Sequence, residues 1–253
     1  MDRGECLHHA AEYGYDHVEV LMEGDDAPAA FESAAAAYRE AAATRDLDVL
    51  VHLPFTGIDI GSPFDPVRSA AAETQAKALD VAAEMGAEKA VLHPHTAAMP
   101  DAWGTEAVRT RLRDATRALV ETAANRSIEA VVENLPRSVY SLDDFPKLLA
   151  GTEGAMTLNT AHARVNGHDA ADMAAFVRDH PGLVSHVHLN DTRGPKDEHL
   201  PFGAGDTDFE TVLSAFPDGW GETGTLSVEA FTDEFAYIRE SGARLDAVLD
   251  ALD

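Results

Sequence analysis

The 253-residue chain has one cysteine, Cys6, so no disulfide can form within it and a disulfide scaffold is excluded. Lysine is almost missing, with four against fifteen arginines. No run approaches the roughly 20 apolar residues that a membrane span needs. The N-terminal MDRGECLHHA has neither a basic start nor an apolar stretch behind it, which points to a cytoplasmic protein with no membrane partner. Neither GxGxxG nor the GxxxxGK phosphate loop occurs, so a doubly wound nucleotide fold lacks its usual signature. No Pro/Gly/Ser-rich linker interrupts the chain, and residues 1–253 read as one domain.

What is present is a globular composition, 45% apolar and 25% charged, sufficient for a sizeable core. The formal net charge is -26. An acidic, lysine-poor, alanine-rich chain resembles the proteins of salt-adapted halophilic archaea, whose carboxylates stay hydrated while salt screens their repulsion. Such a charge ordinarily argues against nucleic-acid partners. At molar salt the Debye length is about 3 Å and that argument loses force.

Short β-branched runs alternate with longer Ala-rich stretches. Seven strands are expected: His17 to Met22, Leu47 to His52, Lys89 to His93, Glu129 to Glu133, Ala155 to Asn159, Val184 to Leu189 and Thr225 to Ala230. Helices are expected over residues 28–45, 66–85, 105–126 and 170–180, with Asp65 as an N-cap and Gly86 as a stop. Repeated strand–helix–strand order means parallel strands with right-handed crossovers. Nearly every strand ends in His, Glu or Asn, and in a parallel barrel all such ends meet on one face where catalytic groups converge, so the expected class is α/β, a TIM (β/α)8-type barrel. Residues 1–11 read as helix and nothing before Glu12 reads as the first strand of such a barrel, which leaves two expectations: seven strands with the gap closed some other way, or a true start upstream of Met1.

The strand-end groups are His52, His93, Glu133, Asn159 with His162 shortly after, His188, then Asp197 and His199 in the next loop, and Glu229. A lone histidine at a strand end is ordinarily a packing or surface residue. Imidazoles and carboxylates at successive strand ends are instead the donor set of a catalytic metal site. His95 and His186 lie two positions from these groups and so aim toward the same side, His186 as an interior barrel residue. His8, His9, His17, His168 and His180 are expected on helices or loops, exposed to solvent.

The segments HLPFTGIDIGSP (52–63), VLHPH (91–95), AVVEN (130–134), LNTAHA (158–163), HVHLNDTRGPKDEHLPFGAGDTDF (186–209) and SVEAF (227–231) resemble the xylose isomerase-like TIM-barrel superfamily. That superfamily includes sugar-phosphate isomerases and epimerases and also endonuclease IV. The resemblance implies a central divalent metal, zinc or manganese, held by Glu133, Asn159, His188 and Glu229. It implies up to two outer ions, one on His52, His93 and the shared Glu133, the other on His162, Asp197 and His199. Asn159 departs from the family pattern, which has Asp there; an amide brings no charge and binds a hard cation more weakly.

The resemblance leads first to a metal-dependent isomerase or epimerase of a sugar or sugar phosphate, working through an enediolate. Glu133 and Glu229 would face each other across the substrate as acid and base. Arg137, Arg164, Arg193 and Lys196, on loops at the mouth, are candidates for holding a phosphate or carboxylate, and solvated loop charge is the plainer account of at least two. The alternative is an endonuclease IV-like multinuclear phosphodiesterase acting on abasic DNA, for which the outer histidines argue. Against it, the stretch EGDDAPAAFES is short and acidic, and only Phe55 and Ile58 could act as wedges. A third class is a degenerate metal-binding barrel. An exposed sheet edge would favour a homodimer.

Overall fold

A computed structural model describes residues 2–252. Its seven strands are β1 His17–Leu21, β2 Asp48–His52, β3 Lys89–Leu92, β4 Glu129–Glu133, β5 Ala155–Asn159, β6 Val184–Leu189 and β7 Thr225–Val228. All neighbours pair in parallel, in the order β1-β2-β3-β4-β5-β6-β7. The helices are α1 Arg3–Glu12, α2 Pro28–Phe31, α3 Ala35–Ala43, α4 Asp65–Glu84, α5 Pro100–Trp103, α6 Thr105–Ala124, α7 Phe145–Leu149, α8 Thr160–Val165, α9 Ala170–Asp179, α10 Phe209–Leu213 and α11 Phe235–Leu252. The result is a nearly closed TIM barrel whose seven strands match the expected ones to within two residues at each end.

The helices pack their apolar stripes on the outside of the sheet. In α6 the buried Val108, Leu112, Leu119, Val120 and Ala123 recur at helical spacing. The helix expected over 28–45 is broken into α2 and α3, because residues 32–34 turn between Phe31 and Ala35. Phe64, rather than Asp65, stands at the N-cap of α4, where Pro66 occupies the first turn. Gly86 ends the following turn with φ 73, a conformation that L side chains rarely adopt.

Alternate residues of each strand enter the barrel lumen. Val91, Val131 and Ala155 form an apolar layer of their own, separate from the main core. Two residues toward the C-terminal mouth of their strands come His93 and Glu133. At the opposite end, Lys89 donates from Nζ to the carbonyls of Ser185 and Thr223 at 2.7 Å and to Thr225 Oγ1 at 3.2 Å. Its ammonium closes the barrel floor.

No strand joins β7 to β1 among the described residues. The edge strands are correspondingly less buried than β3 and β5, which are buried throughout. Side chains bridge the gap instead. Ser227 Oγ donates to Glu19 Oε2 at 2.6 Å, His17 Nε2 lies 3.2 Å from Ser227 Oγ, and Tyr15 donates its hydroxyl to the Ile238 carbonyl at 2.8 Å. Outside them α1 and α11 meet, with the His9 ring 4.1 Å from that of Phe235. His17, expected among exposed histidines, is the half-buried first residue of β1, because it serves this bridge. None of the described helices is long and apolar enough to cross a membrane.

Candidate active site

The strand-end groups converge at the C-terminal mouth in three clusters whose ligand atoms lie within 4.8 Å of one another: His52, His93 and Glu133; Glu133, His188 and Glu229; and His162, Asp197 and His199. Glu133, 1% exposed, is shared by the first two. Its Oε2 lies 2.8 Å from His93 Nε2 and 3.4 Å from His52 Nε2, and its Oε1 lies 3.3 Å from His188 Nδ1 and 3.2 Å from His162 Nδ1. Glu229 Oε2 lies 3.5 Å from the same His188 Nδ1, so the two glutamates meet at one imidazole.

Local sequence explains this convergence. In the HLND stretch, His188 points into the mouth while Asn190 uses both ends of its amide: Nδ2 donates to Asp197 at 2.9 Å and Oδ1 accepts the His199 N–H at 3.1 Å. Asp191 accepts the backbone N–H groups of Thr192, Gly205 and Thr207, which pins the returning GAG segment. A Cβ on Gly205 would collide with the Asp191 carboxylate and the Thr192 carbonyl, so only glycine allows that approach. His199 is held at φ 49 and its ring stacks 3.9 Å from Phe231. On the other side, Asn134 exchanges two hydrogen bonds with the Asn159 backbone.

Asn159 is fully buried and its orientation follows from its neighbours. Oδ1 accepts the His162 N–H at 3.1 Å, capping α8, while Nδ2 donates to Glu133 at 2.9 Å and to Glu229 at 2.8 Å. Turning the amide over would set oxygen against two carboxylates and NH2 against an N–H, so this assignment is fixed by chemistry. The structure thus presents an N–H donor where the family resemblance led us to expect a ligand oxygen.

Burial and charge pull these groups in opposite directions. Burial alone would raise the Glu133 carboxyl, but His188 and His93 hold it well below its usual range. Burial pushes His93 down to about 4 despite Glu133. For His162 burial is overcome by Asp197 and Glu133, which push it up to about 10. Buried carboxylates matched to imidazoles in this way are the signature of a functional site. A metal fits them: the donors are mixed nitrogen and oxygen, and His199 Nδ1 is buried without a hydrogen-bond partner, 3.6 Å from Glu229 Oε1.

The four candidate cations divide. Arg164 ties the 192–207 loop together through the Thr192 carbonyl, Thr207 and Asp206, and Arg193 pairs with Glu198. Arg137, at φ 56, and Lys196 are exposed at the mouth. Phe55 lies over the site, its ring 4.6 Å from that of His93, and Glu23 holds that loop by accepting the Phe55 and Thr56 N–H groups at 2.7 Å each. Glu19, Glu23, Asn134 and Asn190 escaped the reading of the sequence, which looked for ligands rather than for what holds them. The signal for Glu19 was its place two residues from His17 on an alternating strand.

Residues 7–252 match the family described as xylose isomerase-like TIM barrel. The chain belongs to that family. Protein MJ1311 of Methanocaldococcus jannaschii is 28% identical over 194 residues, covering 73% of this chain, and the matched region spans only 64% of that relative's length. Among solved structures, a D-tagatose 3-epimerase-like protein superposes with a TM-score of 0.82 at 23% identity, over 96% of this chain and 91% of that one. The TTHB071 protein of Thermus thermophilus, from a crystal soaked with ZnCl2, gives a TM-score of 0.74 at 26% identity, over 98% and 93%.

Proposed function

We propose that this member of the xylose isomerase-like family is a divalent-metal-dependent sugar isomerase or epimerase, with Glu133 and Glu229 as its acid–base pair. The observation that carries the reading is the meeting of these two carboxylates at His188 Nδ1, 3.3 and 3.5 Å away, inside the mouth of the barrel. Glu133, His188 and Glu229 would hold a central ion, with zinc and manganese the first to test. An ion held there would polarise the substrate's carbonyl and neighbouring hydroxyl oxygens and so acidify the C–H of the carbon beside the carbonyl.

The protein's own residues supply the rest. One glutamate takes the proton from carbon and the other returns it on the opposite face, so a stereocentre can invert or a carbonyl can move. Glu229 is the more open of the two, its side chain 24% exposed against 1% for Glu133. Phe55, tilted against His93, and Phe231, stacked on His199, wall the mouth with apolar surface that would limit water. Arg137 and Lys196, exposed and free of the ion pairs that hold Arg164 and Arg193, would take a phosphate on the substrate. The likeness to a D-tagatose 3-epimerase-like protein agrees with this class at the level of fold.

The test is hydrogen exchange: ketoses, aldoses and their phosphates incubated with the zinc- or manganese-loaded protein in D2O and molar KCl, read by mass spectrometry. Deuterium should enter carbon beside the carbonyl, and Glu229→Gln should stop it. Exchange that survives Glu229→Gln contradicts the acid–base pair.

The two outer clusters favour a second reading. His52 with His93, and His162 with Asp197 and His199, complete a set for two or three adjacent ions, which suits phosphodiester hydrolysis. Chelator-sensitive nicking of an abasic duplex in high salt, with no carbon exchange on any sugar, would place this reading first.

A further inference from the structure

Beneath the central cluster lies a buried polar network that the acid–base reading does not use. Glu19 on β1 reaches across the open seam of the barrel to β6 and β7. Its Oε1 lies 3.0 Å from His188 Nε2, and its Oε2 lies 3.1 Å from His186 Nε2 and 2.6 Å from Ser227 Oγ. His186 is fully buried and its Nδ1 lies 2.7 Å from Thr225 Oγ1, which in turn accepts from Lys89 Nζ.

Counting protons fixes the direction of every bond. Lys89 can only donate and the Glu19 carboxylate can only accept, so a neutral His186 must serve Glu19 from Nε2 and take the Thr225 hydroxyl proton on Nδ1. His186 then carries its proton on Nε2 and donates it to Glu19 Oε2, which also takes the Ser227 hydroxyl proton. The remaining oxygen, Oε1, faces His188 Nε2. A lone pair there would repel the carboxylate, so Nε2 must carry a proton; without an ion Nδ1, facing Glu133 and Glu229, is protonated as well, and it is the Nδ1 proton that a cation between those carboxylates would displace to take the lone pair.

We propose that Glu19 is a positioning residue of the central metal site, fixing the tautomer and ring orientation of His188 from the strand across the open seam. A carboxylate behind a ligating imidazole is a general means of setting tautomer and raising ligand basicity. Here the carboxylate comes from an edge strand that, among the described residues, no eighth strand holds in place. The carboxylate that ties β1 to Ser227 on β7 is therefore also the one that aims the ligand on β6. The proposal rests on the reading that Glu133, His188 and Glu229 hold an ion.

The experiment is a titration of the whole chain with Zn2+ against a chromophoric chelator, and with Co2+ read by its visible spectrum, in molar KCl. Wild type, Glu19→Gln, Tyr15→Phe and His188→Ala are compared. His188→Ala identifies the central class of sites. Glu19→Gln should weaken that class by about 10- to 100-fold and shift its Co2+ bands, leaving the other classes unmoved. Tyr15→Phe removes a different bond across the seam and should lower the melting temperature of the metal-free protein without moving zinc affinity. Should Glu19→Gln not fold, histidine 15N spectra of the zinc-loaded wild type carry the test, with the His188 proton expected on Nε2. Equal zinc affinity in Glu19→Gln and wild type, a loss no larger than that in Tyr15→Phe, or a proton on His188 Nδ1 overturns the proposal. A wild type lacking the central class overturns it together with the reading beneath it. Silence on every sugar with the Glu19 effect intact overturns the sugar reading alone.

Discussion

Asn159→Asp exchanges one NH2 for one oxygen at the most buried point of the site. The residue keeps its cap on α8, since a carboxylate accepts the His162 N–H as well as an amide does. What changes is the face toward Glu133 and Glu229, where two hydrogen bonds of 2.9 and 2.8 Å give way to repulsion. At an effective dielectric near 20, each pair of charges about 4 Å apart repels by roughly 4 kcal/mol, so two neighbours would cost about 8. Taking up a proton costs about 1.4 kcal/mol for each pH unit above the ordinary value near 3.9, or about 4 kcal/mol at pH 7. Protonation is the smaller cost and sets the size of the effect. The metal-free variant should therefore lose about 4 kcal/mol at pH 7 and about 1.5 at pH 5. The sign follows because the folded variant holds a proton that the unfolded chain releases, so stability falls as pH rises. For a chain of this length that is a melting temperature lower by about 8–16 °C at pH 7. Saturating zinc should reverse the order, since the new carboxylate adds charge and a ligand oxygen. Melting with chelator or zinc, at pH 5 and 7 in molar KCl, reads both arms. A metal-free variant as stable as wild type at pH 7, or a penalty that grows toward acid, would refute the reasoning.

Other consequences are quicker to state. Lys89→Met strands the Ser185 and Thr223 carbonyls in the barrel floor and should cost about 2–4 kcal/mol, seen as a lower denaturant midpoint with unchanged slope. With a net charge of -26, the protein should melt higher in 2 M than in 0.1 M KCl, as screening shortens from about 10 Å to about 3 Å or less; a flat or falling response would contradict the reading of its surface. Burial, with Asp246 nearby, pushes the Tyr15 hydroxyl up to about 12. That group stabilises the fold fully below pH 10 and less as pH rises through 12, so alkaline titrations of stability should be shallower in Tyr15→Phe.

The strands were legible because each is a short β-branched run ending in a chemically conspicuous residue, and period-two alternation carried His93, Glu133, His188 and Glu229 to one mouth. The helix over 28–45 misled because its composition is helical throughout while Phe31 must turn into the core, where it is fully buried. Asn159 was visible as a departure, but not the direction in which its amide points, since that depends on carboxylates 26 and 70 residues away. For Glu19 only its place on an alternating strand was legible, and its partners were not, for the same reason. Its partners His186, His188 and Ser227 lie 167, 169 and 208 residues along the chain, and only the closing of the barrel brings them to β1.

The claim on which everything else depends is that the strand-end donors form a metal centre. The direct measurement is metal content by elemental mass spectrometry, on protein purified without chelator in molar KCl, for wild type, Glu133→Gln and His199→Ala. Because Glu133 is shared by two clusters and His199 belongs to another, the account predicts the greater loss of bound ion in Glu133→Gln. It predicts that His199→Ala keeps the ion on Glu133, His188 and Glu229. A wild type without bound metal, or a Glu133→Gln variant with its full complement, would contradict it.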